Sequence, residues 1–148
     1  MAKAQVVFAT ITGNNEDIAD IITEQFEALG VEVTETEISQ TEADDLKNVD
    51  ICVVCPYTYD EGQLPDEGMD FYEDLKGLDL KGKIYGVAGS GDLFYEDDYN
   101  VAVDAFSAAF KQAGATQGAQ DIKINLEPDE DDIAALDAFT KKLVEAAG

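Results

Sequence analysis

The chain has 148 residues, 45% of them hydrophobic, enough for one domain with a sizeable core. Nine Lys, no Arg and 33 Asp plus Glu give a formal charge of −24, which excludes the basic footprint of a nucleic-acid binder and opposes an anionic membrane surface. The lack of His argues against a zinc site or a His-based catalytic triad.

An apolar run over residues 4–9 predicts the first strand. Thr10-Ile11-Thr12-Gly13-Asn14-Asn15 follows it, and then a helical pattern over 16–29 with Ile18, Ile21, Ile22, Phe26 and Leu29 on one stripe, stopped at Gly30. A hydroxyl-rich turn between strand and helix is suited to an anion, because unpaired backbone N–H groups and the helix dipole point at it. Thr10, Thr12, Asn14 and Asn15 add side-chain hydrogen bonds, and Gly13 lets the backbone approach closely. The glycine spacing and the Lys of a Walker loop are missing, as is G-x-G-x-x-G. Taken alone, the turn reads first as an ordinary helix cap.

Residues 31–37 predict a second strand with one wet face or an edge position, and 42–47 a short weak helix. Residues 51–55, Ile-Cys-Val-Val-Cys, are apolar throughout, as in a strand covered on both faces. Cys52 and Cys55 stand at an odd offset, which sends them to opposite faces as buried, unpaired thiols. The loop over 56–65 places Tyr57 and Tyr59 just past this strand, where aromatics suit a flat π-system.

A helix is expected over 67–75, a strand over 84–88 and a loop over 89–98 containing Ser90, Gly91, Asp92 and Tyr95. Next come a helix over 100–113 bearing Val103, Phe106 and Phe110, a strand near 118–124, and a helix over 130–147 striped by Ile133, Leu136, Phe139 and Leu143. Strand–helix alternation with crossover connections predicts a parallel sheet with helices on both faces, in a single domain spanning 1–148. Ligands of such sheets sit beyond the carboxyl ends of the strands. A phosphate cradle after strand one and aromatic loops after strands three and four together describe a site for a ring system bearing one phosphate.

These motifs, in this order and over essentially the whole chain, resemble those of the flavodoxins, FMN-binding electron carriers. Residues 10–15 resemble the family's phosphate loop. Thr58-Tyr59-Asp60-Glu61-Gly62-Gln63-Leu64-Pro65 resembles its inner ring loop, T-W-G-D-G-E-L-P in many members, and Gly91-Asp92-Leu93-Phe94-Tyr95 its outer-loop G-D-x-x-Y. The tail lacks a long insertion, as in the short-chain group.

The resemblance implies a three-layer α/β/α fold and a five-stranded parallel sheet in the order 2-1-3-4-5, with FMN at the switch between strands one and three, the arrangement known for flavodoxin itself. It implies a cofactor site of Thr10, Ile11, Thr12, Gly13, Asn14, Asn15, Pro56, Tyr57, Thr58, Tyr59, Asp60, Gly62, Ser90, Gly91, Asp92, Tyr95 and Tyr99, with no metal. It further implies a carrier without substrate turnover of its own. Tyr59 stands where the family usually has Trp, and Asp60 where Gly is common. The peptide after the inner aromatic flips on reduction in the family. Asp reaches the flipped, positive-φ state at a modest steric cost, so the flip is expected to stabilise the semiquinone less than with Gly.

Acidic residues crowd the expected ring site: seven lie between Tyr57 and Leu75, where no Lys occurs, and Asp92, Glu96, Asp97 and Asp98 add four. Their repulsion of an anionic hydroquinone predicts a low-potential, one-electron carrier shuttling between semiquinone and hydroquinone. The uncompensated phosphate and the electron-rich tyrosines push the same way. Transient, salt-dependent encounters with basic-surfaced reductases and acceptors are expected, from a cytoplasmic monomer with no nucleic-acid or membrane partner. The cytoplasm follows from the lack of a membrane span or signal-type apolar segment.

Three rival readings are weaker. A receiver-type regulatory domain needs an acceptor Asp where Cys55-Pro56 stands and a Lys where Asn125-Leu126 stands. A flavin-dependent quinone reductase needs insertions for a substrate pocket. The acidic run 129–132 lacks the glycine of a calcium loop and reads better as an acid-rich helix start.

Overall fold

The computed structural model describes residues 3–9, 14–56, 66–91, 101–125 and 128–147. Its strands are β1 (Lys3–Phe8), β2 (Glu32–Glu37), β3 (Ile51–Cys55), β4 (Ile84–Gly91), β5 (Thr116–Gln117) and β6 (Ile122–Asn125). Its α-helices are α1 (Asn14–Ala28), α2 (Asp66–Lys76), α3 (Val101–Gln112) and α4 (Glu130–Ala147). All strand pairs are parallel, in the order β2-β1-β3-β4-β5, with β6 beside the second half of β4. This is the expected 2-1-3-4-5 sheet, its fifth position filled by two segments.

Apolar residues on both sheet faces make two cores. Val7, Cys52, Val54, Tyr85 and Val87 pack under α2 and α3, against Phe71, Leu75, Phe106 and Phe110. Val6, Phe8, Val53, Cys55 and Ala88 pack under α1 and α4, against Ile18, Ile22, Phe26, Leu136, Phe139 and Leu143. Cys52 and Cys55 therefore face opposite cores, both free and buried. Burial pushes the Cys52 thiol up to about 12 and the Cys55 thiol higher still, so both stay protonated near neutrality.

Four expectations need correction. The strand expected near 118–124 is interrupted. β5 pairs with Ile84 and Tyr85, β6 pairs with residues 88–91, and Gly118 falls between them, where a Cβ would collide with Ile84 and Leu143. Ser90 and Gly91 belong to the end of β4, because β6 supplies their backbone partners Ile124 and Asn125. The weak helix over 42–47 is a 3-10 helix, Ala43–Asn48, burying Ala43 and Leu46. Finally, Leu29 and Ile133 leave their stripes at 37% and 40% exposure, because both lie at helix ends that overhang the core.

The acidic start of α4 caps itself. The Asp132 N–H donates to Asp129 Oδ1 at 2.9 Å and the Asp129 N–H donates to Asp132 Oδ2 at 3.1 Å, a reciprocal capping box. Local helix chemistry therefore accounts for this run.

Candidate functional site

The carboxyl ends of β1, β3 and β4 lie side by side, with Ala4–Phe8 in register with Ile51–Cys55 and Ile51–Val54 with Ile84–Val87. Each of these ends leads into one of the loops singled out in the sequence, 10–15, 56–65 and 89–98. β1 pairs with β2 on one side and β3 on the other, so the chain order reverses there. Crevices at such reversals are where open parallel sheets bind ligands.

Among the expected site residues, Pro56 is buried directly after β3. A Cβ on Gly89 would lie 2.7 Å from the Pro56 carbonyl oxygen and 2.8 Å from Val103 Cγ2, so β3, β4 and α3 meet there with no space for a side chain. Asn14 and Asn15 open α1 and place its N-terminus beyond β1. Ser90 and Gly91 end β4. Thr10, Ile11, Thr12, Gly13, Tyr57, Thr58, Tyr59, Asp60, Gly62, Asp92, Tyr95 and Tyr99 lie outside the described residues.

Helices run antiparallel to the strands they cover, so every α-helix N-terminus sits at the carboxyl edge. Glu16 and Asp17, Asp104, and Glu130, Asp131 and Asp132 occupy first turns there, as the helix dipole favours. Lysines stand at the other end. Lys3 opens β1, and Lys47, Lys76 and Lys111 lie in last turns. Lys81 and Lys83 precede β4, and Lys141 and Lys142 lie in the second half of α4. Only Lys123 of the nine lies toward the carboxyl edge, on β6, where its Nζ pairs with Asp104 Oδ2 at 2.9 Å. Sequence reasoning missed Lys123, because only the pairing of β6 with β4 places it there.

The protein family model described as flavodoxin matches residues 6–138. The chain belongs to the flavodoxin family. It is 34% identical to probable flavodoxin 1 of Bacillus subtilis over 142 residues, covering 95% of this chain and 89% of that one. Among solved structures, a short-chain flavodoxin associated with a non-canonical PDU bacterial microcompartment is 56% identical, with a TM-score of 0.98 and full coverage of both chains. The Streptococcus pneumoniae TIGR4 flavodoxin is 47% identical, with a TM-score of 0.95 over 98% of this chain and 99% of that one.

The cofactor of this flavodoxin is accordingly FMN, and the protein is an electron carrier, not a substrate-turnover enzyme. The described residues fit that cofactor. A helix N-terminus faces the switch point, where it can hold an anion, and the strand ends close against each other around Gly89. Among the described residues, no helix is long and apolar enough to cross a membrane.

Proposed function

We propose that this flavodoxin is a low-potential, one-electron carrier, acting as a cytoplasmic monomer between a reductase and acceptor enzymes with basic surfaces. The observation that carries this reading is the charge polarity along the strands, with first-turn acids at the cofactor end and eight lysines away from it. An open groove of about 370 Å³ beside α1, lined by Asp17, Asp20, Ile21, Glu24 and Pro128, extends the acidic surface without a cation. A molecule so polarised turns its cofactor end toward a basic partner during encounter.

When bound, FMN supplies the electron-carrying chemistry, and the chain supplies binding, orientation and field. The α1 N-terminus, with Thr10, Thr12, Gly13, Asn14 and Asn15, holds the phosphate by neutral dipoles. Tyr59 and Tyr95 would stack on the ring, and Pro56, Tyr57, Thr58, Asp60, Gly62, Ser90, Gly91, Asp92 and Tyr99 would complete the site. The carboxylates around the ring oppose the second electron and so lower its potential.

The reading is tested by replacing Tyr59 with Ala. FMN affinity should fall at least about tenfold, the equivalent of about 1.4 kcal/mol, with a shifted potential. Unchanged affinity and potential would remove Tyr59 from the stack. Reduction rates with a basic reductase should fall as salt rises, and salt-independent rates would defeat the steering role.

A further inference from the structure

The segment 92–100 leaves β4 at Gly91 and enters α3 at Val101. Inside the protein, β4 and α3 are joined by the wholly buried Tyr85. Its hydroxyl lies 2.8 Å from Ser107 Oγ, and its ring stacks on Phe110 with centroids 4.8 Å apart. Nearer the cofactor end, Val103 abuts Gly89. Outermost, Lys123 bridges to Asp104. β6 registers Lys123 beside Gly89, two residues before β4 ends, and Asp104 lies in the first turn of α3. One ion pair therefore ties the strand pair that releases the segment to the helix turn that receives it.

We propose that Lys123 is a positioning residue for the cofactor site. Its bond to Asp104 fixes the first turn of α3 against the β4–β6 pair and so sets where the segment bearing Asp92, Tyr95 and Tyr99 starts and lands. This rests on the reading that the segment flanks the ring. Lys123 is suited to the task because its face of β6 looks toward α3 while Ile122 and Ile124 pack toward the opposite core. Asp121 lies close enough to compete for it, but Asp121 is also served by the Ser107 hydroxyl and Lys111. The side chains of Lys123 and Asp104 are 35% and 60% exposed, which limits the pair to a few-fold effect.

The experiment compares wild type, Lys123→Met, Asp104→Asn and the exchanged double variant Lys123→Asp with Asp104→Lys. FMN dissociation constants and both one-electron potentials are measured on each, with amide exchange of residues 101–106 in the apoprotein. Positioning predicts that both single variants weaken FMN two- to fivefold and speed exchange, while the exchanged pair recovers affinity. If the singles move the potentials in opposite directions with unchanged affinity and exchange, Lys123 acts only through its charge and the proposal fails. If all variants match wild type, it fails outright. Tyr95→Ala is the control on the underlying reading: unchanged FMN affinity in that variant removes the segment from the site, whatever Lys123 does.

Discussion

At the amino edge of the sheet the chain reverses at Gly30, Gly82 and Gly114, with φ of 79°, 88° and 92°, and Lys81, Lys83 and Lys111 stand beside two of these turns. At the carboxyl edge it leaves the strands in segments rich in hydroxyl, aromatic and acidic residues, against helix starts that carry more acid. One backbone plan thus serves both folding and function. Left-handed glycines make the amino-edge reversals cheap, and helix C-termini there welcome cations. The opposite edge collects helix N-termini, which attract an anionic ligand, and on the proposed reading its acids control how readily the bound group accepts charge.

The largest expected effect comes from filling the carboxyl edge at its tightest point. Gly89→Ala drives a methyl against the Pro56 carbonyl and Val103, and at least one of these contacts is backbone that cannot swing away. Such overpacking should cost about 2–3 kcal/mol of stability and weaken FMN at least about tenfold together. Urea unfolding of the apoprotein and an FMN titration check the two halves. Full affinity in a destabilised variant would mean that the β3–β4 mouth is structural only.

The matching change at the amino edge should separate the two properties. A Cβ on Gly114 meets nothing closer than the Lys81 backbone nitrogen at 3.6 Å, so the penalty of Gly114→Ala is the positive φ alone. That is worth about 1–2 kcal/mol. FMN affinity should not move once the protein is folded. A loss of affinity comparable to that of Gly89→Ala would dissolve the distinction between the edges.

What the sequence disclosed follows the same division. β1 and β3 were legible nearly to the residue, because coverage on both faces leaves apolar runs, broken in β1 only by Gln5. The strand order came with the family resemblance, carried by motifs at the carboxyl edge. The broken fifth strand was not legible. Nothing in Gly118-Ala119-Gln120-Asp121 marks an interruption, and the break shows only in the pairing of β5 and β6 with different parts of β4, with Gly118 crowded against Ile84 and Leu143 between them. Ser90 and Gly91 read as loop because their pairing depends on β6, more than 30 residues later. Glu35 was not singled out in the sequence, although alternation puts it on the same face as Val31 and Val33, the one α1 covers.

Glu35 gives the smallest effect, and it lies on the lateral edge of the sheet rather than at either end of the strands. β2 pairs Glu35 with Val6 and presents it under α1, where burial and then the neighbouring Asp20 raise its carboxyl from 4.5 to about 7. The Thr23 hydroxyl only partly offsets this, being a buried atom with no partner in bonding geometry among the described residues. A raised carboxyl means that the native state holds its proton longer than the unfolded chain. The stabilisation is therefore complete below about pH 4.5 and lost as pH rises through about 7. Glu35 is half-buried, so solvent screening leaves at most about 1 kcal/mol of that change. General repulsion among the acids also weakens the protein as pH rises, so wild type alone cannot assign the effect. Glu35→Gln, unable to ionise, should lose less stability between pH 5 and pH 8 than wild type in parallel urea titrations, with the gap opening between pH 5 and pH 7. Equal losses would mean that burial under α1 does not hold the Glu35 proton. An inward acid on an exposed edge strand has a use that survives this cost, because it discourages edge-to-edge pairing with a second chain.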